Sequence, residues 1–114
     1  MRAGLNKVII LGNLGADPLI KKTSSTTTAI LDIATSRKTK QGEETEWHRV
    51  ILFGRSAEVA QEYLRKGDSA YVEGRLRTRS YTDKNGVEHW TTEILGDTLQ
   101  LMGSARRNNQ EPTR

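Results

Sequence analysis

The sequence predicts an all-β fold, a small barrel of about five strands carrying one short helix. Three observations predict it. Apolar and polar residues alternate with period two through most of the chain, and only one segment carries helical spacing. Turn-forming residues separate the alternating runs.

The elements follow in order. Lys7 to Leu11 is a Val- and Ile-rich run closed by Gly12-Asn13-Leu14-Gly15. Ile30 to Thr35 alternates, with Leu31, Ile33 and Thr35 on one face and Asp32 on the other. Trp47 to Phe53 is a third strand and Ser69 to Tyr81 a long fourth. Asp83-Lys84-Asn85-Gly86 reads as a tight primed turn, because Asn-Gly tolerates positive φ. His89 to Leu95 returns from it, and Thr98 to Met102 closes the set after Gly96-Asp97. Between the third and fourth strands, Ser56 to Lys66 places Val59, Ala60, Tyr63 and Leu64 on one helical stripe. Ser56 reads as its N-cap and Gly67 as its C-terminal glycine. Thr23 to Thr28, six Ser/Thr residues, and the charged stretch Arg37 to Glu44 read as loops. No internal repeat is present. Five strands with one helix between the third and fourth is the order of an OB-fold, a Greek-key barrel, here with an extended β-hairpin.

Composition sets the limits. The chain of 114 residues has room for one domain, expected over 1–103, with a disordered polar tail over 104–114. Hydrophobic residues make up 34%, too many for a disordered chain and few for a large dry core, which favours a barrel or an oligomer. Cysteine is absent, excluding disulfide scaffolds, zinc ribbons and thiol catalysis. No apolar run approaches the roughly 20 residues of a membrane span, and no signal or transit pattern opens the chain, so a cytoplasmic protein is expected. The net charge of +4 permits a polyanionic partner.

Two strand faces carry the chemistry. In the third strand, Trp47, Arg49, Ile51 and Phe53 point one way and His48, Val50 and Leu52 the other. The second set is a core face. The first puts two aromatics and a guanidinium opposite the core, which suits stacking of unpaired bases beside phosphate; the alternative is packing under a loop or in a subunit interface. In the fourth strand, Arg75, Arg77 and Arg79 alternate in one row that ends in Tyr81. Same-face neighbours lie about 6.6–6.8 Å apart, close to the phosphate repeat of an extended strand. The alternative is a solvated edge with protective charges. Arg37, Lys38 and Lys40 on one loop and Lys84 on the hairpin add cations able to fold over a bound strand. Trp90 is expected to be buried across the hairpin as a cross-strand partner of Tyr81. His48 and His89 lack metal-ligand spacing, and no P-loop lysine follows the Gly12–Gly15 turn. No enzyme and no cofactor or metal is expected.

These residues carry a resemblance. NKVIILGNLGADP from Asn6 to Pro18, IATS from Ile33 to Ser36, TEWHRVILFGRSAEVAQEYLRKG from Thr45 to Gly67, and YVEGRLRTRSYTDKNG followed by WTTEIL from Tyr71 to Leu95 resemble the bacterial single-stranded DNA-binding proteins. The resemblance implies a homotetramer, a dimer of dimers, that binds and protects single-stranded DNA in replication, recombination and repair, associated with the nucleoid. It implies stacking by Trp47, Phe53 and Tyr81, the last at a position usually Trp, with Thr39 where a fourth aromatic often stands. It implies basic contacts from Lys7, Arg49, Arg55, Arg75, Arg77 and Arg79, and a subunit contact near His48. The Ser/Thr run replaces the usual Pro-x-Gly turn. The family's acidic tip, which recruits replication and repair proteins, has no counterpart in residues 104–114, which hold Arg106, Arg107 and the single acid Glu111; this leaves such recruitment doubtful, the chain being either a shortened form or a phage, plasmid or divergent relative without the tip. Rival readings fit less well. A docking adaptor would lack the three stacking aromatics, and a cold-shock-type RNA binder would show clustered Phe where this chain has one.

Overall fold

The computed structural model describes residues 2–103; the tail expectation for 104–114 lies outside them. Six strands and one helix follow in order: β1 (Val8–Leu14), β2 (Leu19–Lys22), β3 (Thr27–Thr39), β4 (Gly42–Phe53), α1 (Arg55–Tyr63), β5 (Ser69–Thr82) and β6 (Glu88–Gly103). The sheet order is β1-β5-β6-β4-β3-β2. Pairing of β1 with β3, through Asn13↔Ala34 and Leu14↔Ile33, closes five of these strands into a barrel. The expected five-stranded OB barrel is therefore present, with β2 paired on β3 outside the ring.

The core is the inner face of the alternation. Leu31, Ile33, Val50, Leu52, Ala70 and Val72 are fully buried, and Ala57, Ala60 and Leu64 of the helical segment pack onto them. The outer residues of the same strands, Asp32 and Arg49 among them, face solvent. Ile51 departs from this rule. It belongs to the outward set yet is 7% exposed, because its register neighbours Ile30 and Leu95 flank it on both sides.

Several sequence expectations change. The segment Arg37 to Glu44 is not a loop: β3 and β4 run on as a paired arm, and only Lys40 and Gln41 turn. Thr39 Oγ1 stabilises that turn by donating to the Gly42 carbonyl at 2.9 Å. The Ser/Thr loop is shorter than expected, since Thr27 and Thr28 already pair in β3. In the four-residue loop that remains, Thr23 Oγ1 accepts the backbone N–H groups of Ser25 and Thr26. Local hydroxyl bonding of this kind replaces a Pro-Gly turn. The strand β2 was hidden because Lys21 and Lys22 mask a short edge pairing.

The helix is capped by Gly54 rather than Ser56, and it ends at Tyr63. Gly54 N–H donates to Thr27 O at 2.9 Å, which ties the helix start to β3. Tyr63, placed on the buried stripe by spacing, is half exposed, and Ala57 takes the core position instead. Gly67 lies in a separate turn, where Asp68 N–H reaches Arg65 O at 3.0 Å.

Beyond the barrel, β5 and β6 extend as a second arm. They pair from Ser69↔Gly103 to Thr82↔Glu88, with register shifts after Ser69 and after Glu73. The expected break at Gly96-Asp97 is a bulge, in which Glu73↔Thr98 is followed by Gly74↔Gly96. At the tip the hairpin forms, but not by a primed turn. Asn85 keeps a negative φ, and Gly86 alone is positive at 80°. Asp83 N–H donates to Val87 O at 3.0 Å, leaving a three-residue loop whose last position needs glycine.

Candidate nucleic-acid interface

The two residue rows read from separate strands lie on one surface. The parallel register of β4 and β6 sets Ile51 beside Leu95, and the antiparallel register of β6 and β5 sets Leu95 beside Arg75. One step along the same outer face come Arg49 on β4, Glu93 on β6 and Arg77 on β5. Further out along the arm lie Arg79 and Tyr81, opposite Thr91 and His89. Sequence spacing gave no access to this juxtaposition, because β6 intervenes between the two rows and pairs with β4 in parallel.

The aromatics are exposed. Trp47 and Phe53 are 59% and 49% accessible, so neither is packed in the core of this chain. Six residues of strand separate them by about 20 Å. The Trp47 ring packs against Gly15. A Cβ at Gly15 would come within 2.4 Å of ring atom Cζ3, so only glycine admits the indole there. Gly15, Ala16 and Asp32 form an open groove with the ring as one wall.

Tyr81 sits near the arm tip, half exposed, and its ring stacks on His89 at a centroid distance of 5.1 Å. Trp90 is not its partner. The register sets Trp90 opposite Ser80, on the reverse face of the arm, where it is 68% exposed. The cross-strand expectation was off by one residue, and one residue changes the face.

The cations divide by partner. Lys7 Nζ contacts Glu73 Oε1 at 3.2 Å. Glu73 also accepts the Tyr71 hydroxyl, and these two bonds, the tyrosine's first, hold its carboxyl below the usual range. Arg37 pairs with its cross-strand neighbour Glu44 at 3.0 Å, and Arg55 with Glu58 at 3.9 Å, both at the exposed surface. Arg77 Nη2 and Arg79 Nε both reach Glu93 Oε1, at 2.7 and 2.9 Å. Glu93 has 1% of its side chain exposed. Burial opposes its charge, but hydrogen bonds from Arg77 and Arg79, and their positive charges, outweigh that and hold its carboxyl below the ordinary glutamate range. Among the described residues Arg49, Arg75, Lys38 and Lys40 have no acidic partner.

Sequence reasoning missed Glu93. Its only signal was a lone acid two residues before Leu95 in an apolar stretch, which spacing alone does not connect to two arginines on another strand. His48, opposite Ile33 in the register, is half buried, and its Nε2 shares a 2.8 Å hydrogen bond with Thr35 Oγ1.

Barrel and face together define an OB-fold domain whose outer surface combines exposed rings with an arginine ladder, the combination that accommodates unpaired bases and their phosphates. The chain belongs to the single-strand binding protein family, whose model matches residues 5–102. Among solved structures it is similar to a Plasmodium falciparum SSB in complex with ssDNA. The two share 29% identity and a TM-score of 0.82, over 90% of this chain and 99% of that one.

Proposed function

We propose that this protein coats single-stranded DNA without regard to base sequence, stacking bases on Trp47, Phe53 and Tyr81 and pairing phosphates with the arginine ladder. Single-stranded DNA binding itself is the property of the family to which the chain belongs. The observation that carries the finer reading is the continuity of the outer face from β4 through β6 to β5, which sets rings and guanidinium groups along one path. Rings accept any base by its π-face, and phosphate contacts carry no base information. Both features make binding general.

The family is one of DNA-binding, non-catalytic proteins. We infer that the chain acts in replication, recombination and repair as a passive binder in the cytoplasm, at the nucleoid. Among the described residues, no helix is long and apolar enough to cross a membrane. Assembly as a homotetramer is supported by the apolar surface that one chain leaves open: Ile9 and Leu11 of β1 and Leu101 and Met102 of β6 are about half exposed.

The test is a titration of tryptophan fluorescence with oligo-dT, oligo-dC and a mixed oligonucleotide. Strong quenching with similar affinity for all three is expected. Absence of quenching, or binding confined to one sequence, would overturn the reading.

A further inference from the structure

The tip of the β5–β6 arm is organised more rigidly than its exposure requires. Asp83 folds the turn, its Oδ1 accepting the N–H groups of Asn85 and Val87, each at 2.9 Å. Its other oxygen, Oδ2, accepts His89 Nε2–H at 2.7 Å. The imidazole so fixed lies against Tyr81, with an angle of 21° between the ring planes. Turn, carboxylate, imidazole and phenol thus form one connected chain. A tyrosine on an exposed arm with no such backing would lose rotamer freedom on stacking a base, and pre-organisation removes that cost.

We propose that His89 is the positioning residue of the arm-tip platform, holding the Tyr81 ring for a nucleobase and, when protonated, adding a cation beside the phosphate that follows that base. The inference rests on the reading of Tyr81 as a stacking residue. With Nε2–H committed to Asp83, the second proton enters at Nδ1, and the ring becomes an imidazolium without losing its bond. Histidine is the side chain whose charge changes between about pH 5 and 8. Asp83 stays ionised through that interval, since the bond from His89 and those from the turn hold its carboxyl below the usual range. The other charges near the imidazole are Arg79, one same-face step along β5 from Tyr81, Lys84 in the turn and the chain neighbour Glu88.

The experiment measures oligo-dT affinity of the parent, His89→Ala, His89→Phe, Tyr81→Ala and the Tyr81→Ala/His89→Ala double variant, from pH 5.5 to 8, at fixed moderate salt. The parent is expected to gain affinity on acidification by about three-fold or more than His89→Phe gains. At pH 8, His89→Phe, which keeps a ring against Tyr81 but loses the Asp83 bond that fixes it, should bind between the parent and His89→Ala, and His89→Ala should bind several-fold more weakly than the parent. In the Tyr81→Ala background the His89→Ala loss at pH 8 should disappear, because the two act as one unit. A structural role alone would leave the pH profiles of parent and His89→Phe parallel, and that result overturns the proposal. So does a His89→Ala loss that is equally large without Tyr81. If the parent does not bind oligo-dT, the function itself falls. If the parent binds and Tyr81→Ala weakens it while His89 variants change nothing, only this inference falls.

Discussion

Glu93 holds Arg77 from within the sheet: a carboxylate with 1% of its surface exposed accepts the guanidinium at 2.7 Å and shares the same oxygen with Arg79. The arginine row is therefore not a set of equal free cations. Two of its members are anchored and partly neutralised. Arg75, beside the bulge, forms no ion pair among the described residues, and neither does Arg49, although Asp32 stands opposite it in the register.

That division reorders the expected salt dependence. For single strands, each phosphate neutralised contributes about −0.7 to the slope of log K against log salt. Arg75→Ala and Arg49→Ala are expected to make the slope shallower by about that amount for each phosphate no longer neutralised. The affinity loss should be alike for dT and dC oligonucleotides. Equal slopes for parent and both variants would remove these residues from the phosphate path.

Stacking should behave differently. Trp47→Ala is expected to weaken binding by about 1–3 kcal/mol, the range for removing one base–aromatic stack. The salt slope should stay nearly unchanged, and Trp47→Phe should be mild. Unchanged affinity of Trp47→Ala for oligo-dT at moderate salt would show that the ring serves another purpose.

Gly15→Ala tests the seat of that ring. The added methyl would enter the space the indole occupies, at 2.4 Å from its Cζ3, so the ring must swing away. Tryptophan emission should shift and the quenching by oligo-dT should decrease, with the urea midpoint close to that of the parent. Identical emission and quenching would mean that the indole has room to spare.

Glu93 also makes an acid-stability prediction. A carboxyl whose folded-state pKa lies below its unfolded value stabilises the protein above the unfolded value. That stabilisation is lost as the pH falls through the folded one. In Glu93→Gln this part of the pH dependence should vanish, so that its urea midpoint falls less than the parent's between pH 5 and 3. Parallel decline of the two proteins would show that Glu93 does not feel its two arginines.

Assembly is probed at His48. The side chain is half buried and bonded to Thr35 at 2.8 Å, so a larger ring must displace its surroundings. On the proposed tetramer, light scattering at low micromolar concentration is expected to give a tetramer mass for the parent and a smaller mass for His48→Tyr. A tetramer mass for both proteins would move the subunit contact elsewhere.

Period two, one helical stripe and the Gly- and Asn-bearing turns were enough for the barrel, because burial on one face of a strand writes itself directly into alternation. Val50 and Leu52 inside with Trp47 and Phe53 outside were legible for that reason. Three matters were decided only by tertiary structure. Whether Ile51 is exposed depends on Ile30 and Leu95, contributed by two other strands. Whether Tyr81 meets Trp90 or His89 depends on hairpin register, which the loop Lys84-Asn85-Gly86 sets through one positive φ. Whether the arginines are free depends on Glu93, sixteen residues from Arg77 in the chain and 2.7 Å away in space. Alternation is a property of one strand and survives in the sequence. Pairing across strands is a property of two, and it exists only once the sheet has closed.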